Sequence, residues 1–316
     1  MSTETTTIDN HGRHAHVAHH FDSAQQQFDA GKLGMWLFLV TEILFFSGLF
    51  VAYAVYRANH PDVFVDAHHH LNTALGALNT IVLLLSSLTM AWAVRCAQIG
   101  ERRRLIHLLA ITLACASFFL GVKAIEYSHK WNSGLLWAGA YTAGAEEDHH
   151  QGSESIMPLV VLSTPAAAIL VVSAVSLLWS RRRRLSVAGT FWLSILIAMT
   201  TFFAGLAIGY AVEHVTSTHS HHAVVGEAVQ SNMTTPDSEK KSVRLIGVFF
   251  SIYYAMTGVH AIHILAGMGV IAWLLLRAIR QEFGPETFGP VDYLGLYWHL
   301  VDLVWIYLFP LLYLIR

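Results

Sequence analysis

One acidic residue, Glu42, lies in the middle of a long apolar run that is typical of a membrane helix. Glu42 falls in the apolar run Met35-Trp-Leu-Phe-Leu-Val-Thr-Glu-Ile-Leu-Phe-Phe46. It comes about nine residues after the start of the first apolar segment at Leu33, a helical rise of roughly 12–14 Å. Because an ionised carboxylate is costly in hydrocarbon, we expect Glu42 to be protonated or paired inside a bundle. Two interpretations remain open: proton handling, and a hydrogen bond that fixes helix packing.

Two histidines occur three residues apart in another apolar run. His260 and His263 belong to the sequence Gly258-Val-His-Ala-Ile-His, and this spacing directs both rings to one helix face. They could address one metal ion or one partner helix, but a metal site needs about four ligands. His107 and His299 are the only other histidines in apolar runs. We therefore expect structural, hydrogen-bonded histidines, with no metal site.

The last apolar segment opens with the sequence Tyr297-Trp-His-Leu-Val-Asp-Leu-Val-Trp305. His299 and Asp302 are one turn apart, so the two side chains could pair and lower the cost of burying each other. Trp298 and Trp305 are two turns apart and share a face. An aromatic belt at the membrane interface would explain the tryptophans but not Asp302.

Other polar residues give weaker signals. Glu126 is expected at the outer surface, where a charge costs little. The remaining histidines fall mostly in polar segments, at 11–20, 68–70, 149–150 and 219–222. Such clusters can bind copper or zinc weakly, but their irregular spacing defines no specific site. The sequence contains no phosphate-binding glycine loop, haem-attachment motif or nucleophile elbow. We predict no catalytic residue in this chain.

Membrane helices are expected to hold these residues in place. The chain has 316 residues, of which 54% are hydrophobic and 13% charged, with a mean hydropathy of +0.49. This composition excludes a soluble domain, and a net charge of −2 gives no field for nucleic acid. The apolar blocks predict an all-α polytopic transmembrane helix bundle. Its seven spans are Leu33–Tyr56, Leu71–Val94, Leu105–Ile125, Met157–Trp179, Val187–Val212, Leu245–Leu276 and Leu294–Ile315.

Arginines indicate the orientation of these spans. They gather in three alternate connections: Arg95 with Arg102–Arg104, Arg181–Arg184, and Arg277 with Arg280. Short loops rich in arginine face the cytoplasm. The opposite connections, at about 129–156 and 214–243, are richer in acids. We therefore predict a cytoplasmic N-terminus and a C-terminus outside.

Several blocks together resemble subunit III of the haem-copper oxidases, the cytochrome c oxidase branch in particular. The most specific is Tyr-Trp-His-x-Val-Asp-x-Val-Trp at 297–305. The resemblance extends over about 33–127 and 245–316. Its other blocks are Thr41–Gly48, Leu71–Ala74, Ile106–Tyr127 and Gly258–His263.

The resemblance implies a non-redox subunit of a respiratory terminal oxidase in a bacterial-type inner membrane. The complex would oxidise cytochrome c, reduce O2 to water and pump protons, with haem and copper in partner subunits I and II. This chain would hold no cofactor. It would stabilise the catalytic subunit, bind phospholipid, support proton uptake and protect the active site from turnover inactivation.

The resemblance also assigns roles to particular residues. Glu42 matches the family's buried, carbodiimide-reactive glutamate, and Arg277 falls where the family places a cation that meets a lipid phosphate. The family's aromatic residue and histidine after the glutamate are replaced here by Val51 and Val55. Structural roles follow for the polar residues of the other motifs: Glu126, His260, His263, Trp298, His299 and Asp302.

The chain departs from the family pattern in its middle. We divide it into a polar, His-rich cytoplasmic tail at 1–32, three helices at 33–127, an inserted segment at 128–244 and the last two helices at 245–316. The insertion contains an extra transmembrane hairpin. Two roles are open for this hairpin: it fills the side of a missing first helix pair, or it docks another respiratory complex or cytochrome c.

Other functions were weighed against this one. The complex could instead be a quinol oxidase or a nitric oxide reductase. A stand-alone proton-coupled transporter, with Glu42 as carrier and the histidines as relay, should show inverted repeats or broken helices. The sequence offers only a faint repeat, Phe118-Phe-Leu-Gly against Phe202-Phe-Ala-Gly. A catalytic membrane enzyme is disfavoured because the chain lacks a nucleophile or ligand set.

Overall fold

The protein is a bundle of helices in every part that the structure describes. A computed structural model describes residues 21, 23–68, 71–132, 156–224 and 236–315. Within these ranges seven helices are long and apolar enough to cross a membrane, which confirms the predicted all-α bundle and its seven spans. The helices are α1 (Ala24–Asn59), α2 (Pro61–His68), α3 (Thr73–Gln98), α4 (Arg102–Asn132), α5 (Met157–Arg182), α6 (Ser186–Val224), α7 (Pro236–Ile279) and α8 (Gly289–Tyr313).

Several helices extend beyond the apolar runs that predict them. Helix α1 begins at Ala24, where the Ser23 hydroxyl accepts the N–H of Gln26 at 3.1 Å. Helix α4 continues past the predicted end at Ile125 to Asn132. Hydropathy marks the lipid-embedded part of a helix, whereas caps and polar contacts decide where it ends. The short helix α2 was not predicted because its eight residues are too few and too polar for a span.

The family-like helices form one core. Helix α3 packs against α4 and α8, α7 packs against α4 and α8, and α1 rests on α8 and α7. The Arg102 guanidinium donates to the carbonyl oxygens of Ala278 and Ile279 at 3.0 and 2.5 Å, so the start of α4 and the end of α7 lie at the same end of the bundle. Outward faces of α1 and α5 are apolar and exposed, as expected for helices in contact with lipid.

The additional hairpin, α5 and α6, joins this core through a close crossing of α6 and α4. A Cβ placed on Gly121 would lie 2.2 Å from the Phe202 carbonyl oxygen, and one on Gly205 would lie 2.4 Å from the Phe118 carbonyl oxygen. The contacts are reciprocal, so only glycine allows the two backbones to come this close. The faint repeat in the sequence is therefore the two sides of one helix crossing.

Candidate functional site

Glu42 is paired with a histidine from a distant part of the chain. Its Oε2 lies 2.9 Å from Nε2 of His263, which joins α1 to α7. The other ring nitrogen, Nδ1, lies 2.8 Å from the carbonyl oxygen of Val259 and so carries a hydrogen. The Glu42 and His263 side chains are 19% and 18% exposed, and Phe46 packs beside the imidazole at 5.1 Å between ring centroids. The pair therefore lies at the edge of the bundle, largely shielded.

This geometry lets Glu42 and His263 share one proton. Because Nδ1 is occupied by the Val259 carbonyl, the remaining proton can lie on Glu42 Oε2 or on His263 Nε2. Either placement keeps the contact as a hydrogen bond, and a partner at this distance offsets part of the cost of burying a charged group.

A second buried polar site lies at the far end of α4. Glu126 is only 2% exposed, so its expected position at the outer surface was wrong. Its Oε2 accepts from Lys123 Nζ at 2.8 Å, and its Oε1 accepts from Lys130 Nζ, the Tyr253 hydroxyl and the Tyr313 hydroxyl at 2.8, 2.8 and 2.5 Å. The prediction failed because α4 does not end at Ile125, and the continuing helix turns Glu126 towards α7 and α8.

The two lysines of this cluster were not predicted as site residues. Lys123, Glu126 and Lys130 are spaced three and four residues apart, which places them on one face of α4. That spacing was the available signal. The Lys123 ammonium also donates to Tyr313 at 2.7 Å and lies 4.7 Å from the Trp305 ring centroid. The cluster thus ties α4, α7 and α8 together with charges that would be very costly unpaired.

His260 and His263 do not address a common partner. His263 bonds to Glu42, whereas neither ring nitrogen of His260 has a hydrogen-bond partner among the described residues. The buried His260 ring stacks on Trp305 at 5.4 Å and meets the edge of Phe119 at 5.7 Å. The expectation of a hydrogen-bonded ring is therefore wrong for His260, which is held by aromatic packing.

The tryptophans of α8 are anchors in the core. Trp298 and Trp305 are both fully buried, and their indole N–H groups donate to Ser86 at 2.9 Å and Thr80 at 3.1 Å on α3. Trp298 is thus not part of an interfacial belt. Their shared face, predicted from the spacing, packs on one neighbouring helix.

The predicted pair of His299 and Asp302 is not formed. His299 Nδ1 lies 2.6 Å from the hydroxyl of Ser87 on α3, and no ion pair links it to Asp302 in the described chain. Asp302 is nevertheless buried at 2% exposure. The spacing of one helical turn permits a His299–Asp302 pair, but the His299 ring instead makes its hydrogen bond with Ser87 on α3.

Arg277 lies at the end of α7. Its Nε donates to Glu282 at 2.5 Å, and its guanidinium lies 4.8 Å from the Trp273 ring centroid. Among the described residues no group of three or more histidine, cysteine or acidic side chains could hold a metal ion. The histidines at 11–20, 69–70 and 149–150 lie outside the described residues, as do residues 1–20 and 22 of the predicted tail, whereas residues 24–32 of that tail belong to α1.

The fold and the buried polar contacts show which kind of protein this is. Seven apolar helices with buried charges at their contacts make this chain an integral membrane protein. The family model described as cytochrome c oxidase subunit III matches residues 13–135 and 239–315, more than half of the chain. The chain belongs to the cytochrome c oxidase subunit III family, which confirms the resemblance.

Individual relatives agree with the family match. Cytochrome c oxidase subunit 3 of Corynebacterium diphtheriae is 23% identical over 287 residues, covering 90% of this chain and 88% of that protein. A probable cytochrome c oxidase subunit 3 of Mycobacterium leprae is 38% identical over 66 residues, 21% of this chain and 33% of that protein. A heme-copper oxidase subunit I+III of Aeropyrum pernix is 34% identical over 70 residues, 22% of this chain and 9% of that protein. The chain is therefore a membrane subunit of a terminal oxidase.

Proposed function

We propose that this chain is a non-redox subunit that stabilises the catalytic subunit of a cytochrome c oxidase and supports proton uptake by it. The observation that carries the proposal is the hydrogen bond between Glu42 and His263. A carboxyl that shares a proton with an imidazole at the edge of a bundle can supply protons to a neighbouring subunit. The complex would lie in a bacterial-type inner membrane.

The proposed partners are oxidase subunits I and II, which would hold haem and copper. The Aeropyrum relative, named as subunit I+III, supports a close contact with subunit I because the two are named there as one protein. We also propose that phospholipid binds this chain, with Arg277 at its phosphate. The Arg277 guanidinium is about one-third exposed, so it can reach a headgroup while it holds Glu282.

Glu42→Gln in the intact complex tests the proton role. The amide keeps the size of the side chain but can no longer donate or accept a proton in exchange, so proton uptake should slow by about tenfold or less, or the catalytic lifetime should shorten. Both are read from stopped-flow proton uptake and from turnover number before inactivation. The haem spectrum should stay unchanged.

Two variants make the result specific. Glu286→Gln removes an exposed carboxyl outside the membrane spans and should leave both quantities unaltered. His263→Gln removes the other half of the pair and should reproduce the Glu42→Gln result. Loss of all haem in Glu42→Gln would mean that this residue serves assembly. Normal uptake and lifetime would refute the proton role.

The electron donor is addressed by purification through a tag on this chain in mild detergent. We expect haem absorption bands and a large membrane subunit to co-purify. An attached cytochrome c would support the cytochrome c oxidase proposal, and a quinol-reactive or nitric-oxide-reactive complex would replace it. A colourless, isolated chain would contradict the whole assignment of partners.

A further inference from the structure

The additional hairpin contains a cavity where α5 meets α6. Its volume is about 360 Å³, within the range of small-molecule sites, roughly 300–1,000 Å³. Its lining includes two arginines, Arg181 and Arg184, and three leucines, Leu177, Leu185 and Leu193. It lies between the two ranges that match the family model, so nothing in the family match accounts for it.

The four arginines of this turn are not equivalent. Arg181 and Arg184 line the cavity, whereas the guanidinium of Arg183 lies 5.5 Å from the Trp179 ring centroid. Neither Arg181 nor Arg184 has an acidic partner within ion-pair distance in the described part of the chain. One arginine at each of two other turns does have such a partner: Arg104 pairs with Glu101 at 2.8 Å and Arg277 with Glu282 at 2.5 Å.

We propose that this cavity binds an anionic phospholipid. The phosphate would lie between the Arg181 and Arg184 guanidinium groups, which present paired N–H donors suited to phosphate oxygens. One acyl chain would run along the lining leucines towards the exposed apolar face of the hairpin.

The surroundings favour a lipid over other anions. Trp179, 55% exposed and next to the arginines, marks the height of the membrane interface. Leu178, Leu185 and Leu193 are exposed around the cavity, so an occupant must cover apolar surface as well as neutralise charge. A free phosphate ion or an acidic protein segment would satisfy the arginines alone, whereas a phospholipid satisfies both surfaces.

The test compares two double variants of the intact complex. R181Q/R184Q removes the arginines of the cavity, and R182Q/R183Q removes the same charge from the same turn without touching the cavity. Both leave equal positive charge for topology. Complexes in nanodiscs of phosphatidylglycerol and phosphatidylcholine are analysed by native mass spectrometry. We expect R181Q/R184Q to lose one bound phosphatidylglycerol, with affinity reduced about tenfold or more, and R182Q/R183Q to keep it.

A conservative variant guards against misfolding. R181K/R184K preserves charge and membrane insertion but lacks the paired donors of arginine, so it should bind with intermediate affinity. Equal retention of phosphatidylglycerol in both glutamine variants would overturn the proposal. Displacement of the lipid by millimolar inorganic phosphate would assign the cavity to a free anion. Loss of a protein subunit in R181Q/R184Q, without loss of lipid, would assign it to an acidic protein segment.

Discussion

At the scale of single residues, two acidic side chains within the helix bundle have different surroundings. Glu42 and Glu126 are both carboxylates of membrane helices, yet their environments differ. Glu42 has one titratable partner and remains near the bundle edge, whereas Glu126 is enclosed by two lysines and two tyrosines. The first arrangement suits exchange of a proton. The second has every oxygen of Glu126 occupied, which suits a structural lock between helices.

Glu126→Gln should destabilise the bundle strongly. The amide leaves two buried ammonium groups without a counter-charge, and breaking a buried pair costs about 3–5 kcal/mol. Thermal unfolding of the complex in detergent measures the loss. Glu282→Gln is the matched control, because it breaks an ion pair of Arg277 outside the spans that is more exposed and worth about 0–1 kcal/mol. Similar shifts for the two variants would contradict the role of Glu126 as a lock.

At the scale of elements, backbone proximity decides how the hairpin attaches. Helices α4 and α6 run parallel: Thr201 donates to the carbonyl of Ala114 at 3.0 Å, and further along Gly205 and Gly209 face Phe118 and Ile125. Within a membrane the hydrophobic effect does not drive helices together, because lipid tails are as apolar as the helix surfaces. Close packing and such polar contacts must therefore hold the hairpin against the core.

Gly121→Ala and Gly205→Ala should loosen the hairpin. Each added methyl would meet a carbonyl oxygen that belongs to the backbone and cannot rotate away, and overpacking of this kind costs about 1–3 kcal/mol. Engineered protease sites within 133–155 and 225–235 would release a fragment that contains α5 and α6. We expect this fragment to stay with the core in the unmodified protein and to dissociate in the variants.

Gly269→Ala is the control for this experiment. A Cβ there meets nothing within 4 Å, and the residue lies on the exposed side of α7. Dissociation of the fragment in Gly269→Ala, or its retention in both crossing variants, would show that the glycine contact does not hold the hairpin.

At the scale of the whole molecule, the hairpin of α5 and α6 packs on one side of a core that holds both polar sites. Both polar sites are formed by residues of α1, α4, α7 and α8, and none by the hairpin, which packs mainly on α4 and has smaller contacts with α3 and α7. Deletion of about 150–240, with the ends of α4 and α7 rejoined, should therefore preserve oxidase turnover in the purified complex. If the hairpin docks a further respiratory complex, association with it on native gels should weaken. Unaltered association would remove that role.

The membrane class, the seven spans and the family were all predictable from the amino-acid sequence alone. The reason is that a lipid-embedded helix satisfies its own backbone, so each span is a property of about twenty consecutive residues and needs no knowledge of its neighbours. The spacing of Lys123, Glu126 and Lys130 also indicates that they share one face of a helix, although the cluster was not predicted.

Which side chains meet across the bundle follows from helix packing and could not be predicted from the sequence. Glu42 and His263 are 221 positions apart, and Glu126 and Tyr313 are 187 apart. His299 contacts Ser87 on α3 instead of Asp302. The two similar Phe-Phe-x-Gly segments lie where the backbones of α4 and α6 cross. Hydropathy and spacing describe one helix at a time, whereas partners follow from how helices pack, and packing depends on the shape of every neighbouring surface at once.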